Sequence, residues 1–349
     1  MNVLAVEKAM IAHLDSLTKP KGSLGKLEDY AVKLAKIQGR VPPLVRKKAV
    51  YVFAGDHGIV AEGVSLYPSE VTYQMVLNFL AGGAAINALA RGTGWEVIAV
   101  DAGVAADFPP AAALPAAARF LDRKIGKGTK NFLVQDAMSA AEAKKALDTG
   151  HALADDAAAA GYDLVAIGDM GIGNTTTAAA LLVAFGMDAS LVIDRGTGID
   201  DTALARKREV ILESVRNRGP FSDAEHVLRA VGGFDLAMMT GFILGLESKG
   251  IACVLDGFPV GAAAYVAFRM KPSVVDLLFA GHRSRVKGHA PVLEALGLDP
   301  ILSLDMRLGE GTGAVTGGFM IELAAKAAGE MASFASAGVS ESAEDEKDF

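Results

Sequence analysis

The sequence predicts an α/β protein with a central parallel sheet wrapped by helices on both faces. Three observations predict it. Short, almost wholly apolar runs recur along the chain, each stops at a turn rich in glycine and aspartate, and a longer segment with helical spacing follows most turns. A strand without polar alternation is one covered on both faces, as in parallel sheets. Strand, turn and helix repeated in that order make a doubly wound, Rossmann-like arrangement.

Residues 1–40 read as helical. Segment 7–14 is amphipathic, and in 24–37 the apolar Leu24, Leu27, Ala31, Leu34 and Ile37 stand three or four residues apart. The loop between them, punctuated by Pro20, Gly22 and Gly25, carries Lys19 and Lys21, which suit either an anion or solvent. Five apolar runs read as buried strands: 50–54, 97–100, 164–167, 252–255 and 274–279. They end at Gly55-Asp56-His57-Gly58, Asp101-Ala102-Gly103, Gly168-Asp169, Asp256-Gly257 and Gly281-His282. Helices are expected over 70–90, 140–160, 202–218, 233–246, 261–269 and 314–327, and an Ala-rich helix after Thr177. The Pro/Ala segment 108–118 reads as a loop or insertion. In such sheets ligands bind beyond the carboxyl ends of the strands, where these turns fall.

Composition excludes several function classes. Apolar residues make up 51% of 349, and no apolar run approaches the roughly 20 residues needed to span a bilayer. The net charge is −7, but segment 341–349 holds five acids and one lysine, so the body is near neutral. No basic stripe interleaved with aromatics points to nucleic acid. The acidic, Ser/Ala-rich tail after Gly338 reads as disordered. A lone Cys253 inside IACVL excludes an internal disulfide and a cysteine zinc cluster. With no signal-peptide pattern in MNVLAVEKAMIAHL, a cytoplasmic setting is expected.

Four turns carry the chemistry. In LSLDMRLGEGTGA, Gly309 and Gly311 flank Glu310 immediately before a helix. That pattern suits a general base held over an anion site at the helix N-terminus, or a carboxylate that only caps the helix. In GDMGIGNTTT, the amides of Gly171 and Gly173 with Asn174, Thr175 and Thr176 open a helix and suit a phosphate. Asp169, at its start, reads as a cap or a second carboxylate facing the ligand. Gly196 and Gly198 lie in RGTGIDD, followed by the cations Arg206, Lys207 and Arg208. The fourth turn is Gly281-His282-Arg283-Ser284. His57, His282 and His289 lack metal-ligand spacing, and no P-loop, GxSxG or strand-to-helix GxGxxG occurs. Neither a metal nor a cofactor is expected. Phosphate-binding turns with one carboxylate base suit transfer of a phosphorylated sugar. A non-catalytic phosphate-binding module would use the same turns, and a nicotinamide-dependent oxidoreductase would lack its fingerprint.

The ordered set LTKPKGSLGKLE, FAGDHGIVAEGVSLYPSEVTYQMVLNFLAGGAAIN, DAGV, GDMGIGNTTTAAAL, RGTGIDD, VGGFDLAMMTG, LDGFPVGAAA, AGHRS and MRLGEGTGA resembles the nicotinate-nucleotide:dimethylbenzimidazole phosphoribosyltransferase family over residues 5–335. The resemblance implies a homodimer that makes α-ribazole phosphate for the lower ligand of cobalamin from nicotinate mononucleotide and dimethylbenzimidazole or a related base. It implies a small helical domain from 1–45 and 315–338 beside a large α/β domain, 46–314, with 339–349 as the tail. It makes Glu310 the catalytic carboxylate and Asp169 an auxiliary one. Ser65, Tyr67, Gln74, Met170 and Leu308 would meet the benzimidazole. Residues 171–176, Lys207, Ser284 and Arg307 would hold the ribose phosphate. Two departures stand out: Asp169 where glutamate is expected, and the basic Arg285-Val286-Lys287 after Ser284.

Overall fold

The structure, a computed structural model, describes residues 2–196 and 198–340. Seven strands form one sheet: β1 Lys48–Gly55, β2 Glu96–Gly103, β3 Arg119–Asp122, β4 Leu164–Met170, β5 Ala252–Leu255, β6 Leu278–His282 and β7 Pro300–Leu302. Their order is β3-β2-β1-β4-β5-β6-β7, and every neighbouring pair is parallel. Strand order reverses between β1 and β4, the topological switch point of a doubly wound sheet.

The apolar runs behave as two-faced strands. On β1, Tyr51 and Phe53 enter the core on one face, while Val50, Val52 and Ala54 enter the core on the other. The first core is closed by helices Ala140–Ala159, Asn174–Ala184, Phe234–Leu246 and Phe258–Met270, with Tyr51 and Phe242 rings 4.7 Å apart. The second is closed by Glu70–Ala81, Ala85–Thr93 and helix Thr312–Glu330, through Ala314, Val315, Ile321 and Ala325. A third cluster joins Val6, Met10, Leu14, Ala31 and Ala35 of helices Val3–Asp15 and Lys26–Gln38 to Ala324 and Ala328. Helix Thr312–Glu330 therefore runs from the sheet into this cluster. Among the described residues, no helix is long and apolar enough to cross a membrane.

Two expectations are corrected. The helix expected over 70–90 is two, broken at Gly82-Gly83, where Gly82 takes φ +80° and a Cβ on Gly83 would stand 2.4 Å from Asn78 Oδ1. Residues 274–277, expected in a strand, lie in the 3-10 turn Pro272–Leu277, and the strand is 278–282. A short apolar run has no period by which to tell the two apart. The segment 108–118 is a loop as expected, with one 3-10 turn at Ala111–Ala113, and it leads into an edge strand, β3, whose four residues are at most partly buried. Before the Glu310 turn, only Leu302 of residues 302–308 is in a strand, and Leu304 and Leu308 are exposed. The tail residues 341–349 lie outside the described residues.

Candidate active site

A cavity of about 380 Å³ lies beyond the carboxyl ends of β4, β5 and β6. It brings together Tyr67, Asp169, Met170, Gly171, Asn174, Thr175, Gly196, Ser284, Arg307, Leu308, Gly309 and Glu310 from separate parts of the chain. A larger groove, about 910 Å³, lies between helix Lys26–Gln38 and residues 246–251. It has no glycine turn facing a desolvated carboxylate, so the smaller cavity is the candidate site.

Glu310 is held by its backbone. It has φ +63°, between Gly309 at +90° and Gly311 at +86°, a conformation a non-glycine residue keeps only under constraint. Its N–H donates to the Asp169 carbonyl at 3.3 Å, tying the turn to the end of β4. There is no room to spare: a Cβ on Gly168 would stand 2.3 Å from the Gly311 nitrogen. Glu310 is 6% exposed, and its carboxylate accepts from the Ile86 N–H at 3.3 Å, at the start of helix Ala85–Thr93. Burial raises its pKa, the Ile86 bond opposes that, and the charge of Asp256 adds to it.

The helix after Glu310 is capped by another residue. Asp256, fully buried at the end of β5, accepts from the N–H groups of Gly311 at 2.9 Å, Gly313 at 2.8 Å and Ala314 at 3.2 Å. The expectation that these amides offer a free anion site is thereby corrected: the protein's own carboxylate occupies them. Glu310 does not cap this helix either. His282 lies beside the cap, its Nε2 3.5 Å from Asp256, and a Cβ on Gly313 would stand 2.0 Å from the imidazole.

Across the cavity, Gly173 takes φ +93° and starts helix Asn174–Ala184 with no side-chain cap. Asn174 turns its amide to the Asp169 carboxylate. Asp169 is pushed up to about 7, by burial first and then by the nearby charges of Asp256 and Asp235. Lys207, 1% exposed, donates to Thr175 Oγ1 at 2.9 Å and lies beside Gly196. Burial lowers its pKa to about 8. Of its two basic neighbours, Arg206 pairs with Glu62 at 2.7 Å and Arg208 is exposed, so only Lys207 turns inward. Ser284 Oγ donates to the Met306 carbonyl at 3.3 Å, and the Ser284 N–H donates to His289 Nδ1 at 3.0 Å. Burial holds His289 near 4, so it accepts as a neutral ring.

The remaining predicted residues do not line the cavity. Ser65 is half-buried and accepts from the Tyr67 N–H at 3.3 Å; Gln74 is exposed on helix Glu70–Ala81; Gly198 is exposed. Gly173, Gly311 and Thr176 are buried in the turns behind the wall. Sequence reasoning gave no role to Asp256, Asp235 or Asp56. Two of these were visible as strand-end aspartates, but nothing in the sequence pairs them with their distant partners.

Comparison with known proteins now decides the family. A family model described as "Phosphoribosyltransferase" matches residues 4–339. The chain is 49% identical over 338 residues to a nicotinate-nucleotide–dimethylbenzimidazole phosphoribosyltransferase of Roseiflexus castenholzii, covering 96% of this chain and 94% of that one. The chain belongs to the nicotinate-nucleotide–dimethylbenzimidazole phosphoribosyltransferase family. It is 48% identical to the relative of that name in Geobacter sp. strain M21, covering 96% of each. The crystal structure of CobT from Thermus thermophilus superposes with a TM-score of 0.91 at 46% identity, over 97% of this chain and 100% of that one. The cavity is therefore a site in a member of a phosphoribosyltransferase family, on the parallel α/β fold the sequence predicted.

Proposed function

We propose that the protein moves the 5-phosphoribosyl group of nicotinate mononucleotide to 5,6-dimethylbenzimidazole in cobalamin lower-ligand synthesis, with Glu310 as general base. The carrying observation is Glu310 itself: a buried, strained carboxylate with a raised pKa, in a cavity whose opposite wall is a glycine turn at a helix start.

The chemistry asks for one base. The pyridine nitrogen of nicotinate mononucleotide is already cationic, so the bond from C1′ to that nitrogen breaks without a general acid. The unprotonated azole nitrogen attacks C1′ from the opposite face, and the N–H proton on the other ring nitrogen passes to Glu310. The products are nicotinate and α-ribazole 5′-phosphate, with inversion from β to α. Desolvation makes Glu310 a stronger base than an ordinary carboxylate. Asp169, near neutrality in its titration, serves as the auxiliary carboxylate on the base's side of the cavity.

Roles follow from chemistry. Apolar Met170 and Leu308 with Tyr67 supply a wall for the planar base; in this reading Ser65, beside Tyr67, and Gln74, on helix Glu70–Ala81, assist in holding it. Gly171, Gly173, Asn174, Thr175 and Thr176, with Gly196, Gly198, Lys207, Ser284 and Arg307, form the phosphate and ribose side, and Gly309 and Gly311 hold the base in place. In the same reading the protein is a cytoplasmic homodimer. Exposed Leu66, Tyr67, Leu304 and Leu308 on the loops at the rim support a second copy. The third apolar cluster supports a small helical unit drawn from both chain ends.

The test is product analysis. Purified protein with nicotinate mononucleotide and dimethylbenzimidazole should release nicotinate and an α-configured nucleoside phosphate in equal amounts, read by chromatography with mass detection and by anomeric proton coupling. Nucleotide binding without nicotinate release, across a panel of bases, contradicts the reading.

A further inference from the structure

His57 belongs to the turn after β1 and does not line the cavity, yet the phosphate-side turn is built around it. The residue is 2% exposed. Nδ1 lies 3.0 Å from Thr177 Oγ1, and Nε2 lies 3.2 Å from Asp235 Oδ2, on the first turn of helix Phe234–Leu246. The backbone closes over the ring on two sides. A Cβ on Gly171 would stand 3.0 Å from Nε2, and one on Gly233 would stand 2.6 Å from Cε1. A Cβ on Gly173 would stand 3.2 Å from His57 Cβ. Larger residues at these places would displace either the turn or the imidazole.

The contact reaches the cavity through few bonds. The Thr177 N–H donates to the Gly173 carbonyl at 3.1 Å, and the Asn174 N–H donates to the Gly171 carbonyl at 3.1 Å. Asn174 in turn holds Asp169. Helix Asn174–Ala184 has no side-chain cap, so the Thr177–His57 contact is a polar side-chain anchor on its first turn.

We propose that His57, with Asp235 behind it and Thr177 in front, is a positioning residue that sets the Gly171–Thr177 turn for the phosphate of the nucleotide donor. This rests on the reading above that the turn faces that phosphate. The charged groups facing the ring agree with a doubly donating imidazolium. Asp235 from helix Phe234–Leu246, Asp56 from its own turn and Asp169 from β4 together raise its pKa against the opposing effect of burial. In that form Nε2–H faces the Asp235 carboxylate as an ion pair at 3.2 Å, and Nδ1–H donates to Thr177.

Four variants test it, with nicotinate mononucleotide affinity read by calorimetry and both KM values by initial rates. Thr177→Val removes the hydroxyl at nearly constant volume and should weaken nucleotide binding by about tenfold, the scale of one bond to a charged group. The KM for the base should stay unchanged. His57→Gln keeps an amide toward Asp235 but loses the Nδ1 contact and should match Thr177→Val. The double variant should be no worse than either single one. Thr177→Ser keeps the hydroxyl and should retain wild-type affinity. Unchanged nucleotide affinity in a folded Thr177→Val protein overturns the proposal, as does an equal loss toward both substrates or additive loss in the double variant. Wild-type protein that binds the nucleotide but turns nothing over would instead sink the transferase reading, and the affinities would still decide the positioning role.

Discussion

The carboxylate of Asp256 accepts from the backbone N–H of Gly311 at 2.9 Å, one residue beyond Glu310. With Gly313 and Ala314 also bound to it, the start of helix Thr312–Glu330 is sealed by a buried charge. The Glu310 turn thus keeps its left-handed backbone because a neighbouring strand end holds it. Asp256→Asn should cost about 2 to 3 kcal/mol of stability, the sum expected for a lost cap and weakened charge-assisted bonds. Urea unfolding reads the stability. A larger effect on kcat than on either KM should accompany it, because Glu310 then loses its fixed place.

Asp169 predicts a pH dependence of stability. Its ordinary value of 3.8 is raised to about 7 by burial in the folded protein. A carboxyl raised in the folded state binds more protons when folded than when unfolded, so its contribution falls as pH rises between those two values. The thermal midpoint of the wild type should therefore decline between about pH 4 and 7 more steeply than that of Asp169→Asn. Parallel curves for the two proteins would show that Asp169 is not held protonated by its surroundings.

Crowding beneath the turn gives a steric prediction. Gly168→Ala would drive a methyl group to 2.3 Å from the Gly311 nitrogen, against backbone that has nowhere to go. Overpacking of this kind costs about 1 to 3 kcal/mol, and activity should fall with it. Gly297→Ala is the control. It meets nothing within 4 Å and carries only the strain of φ +65°, so it should cost about 1 kcal/mol and leave turnover intact.

Lys207 predicts a second pH effect, on binding. Burial lowers it to about 8, so it is charged below that value and loses its proton above it. Affinity for nicotinate mononucleotide should fall as pH rises past about 8, and Lys207→Met should both weaken binding and flatten that profile. Calorimetric titration across the range checks both.

The fold was legible because parallel strands buried on both faces leave uninterrupted apolar runs, as in Val50–Ala54 read against the face-by-face packing of β1. Edge strand β3 was not, because a half-exposed strand of four residues carries no such run. The residues that now line the cavity were visible as glycine turns at strand ends. What holds those turns was not. The bond from Asp256 to Gly311 spans 55 positions and that from Thr177 to His57 spans 120, and no local spacing encodes either. The break at Gly82-Gly83 was visible as a glycine pair, yet its consequence, an Ile86 N–H turned toward Glu310, exists only in three dimensions.

Turnover of Glu310→Gln beside the wild type, with nicotinate mononucleotide and dimethylbenzimidazole, tests the central claim most directly. The variant keeps an oxygen for the Ile86 N–H, so it should fold and bind the nucleotide as the wild type does. Its kcat should fall by about 10² to 10⁴, the scale of a lost general base. A folded Glu310→Gln protein that turns over at the wild-type rate would contradict the account.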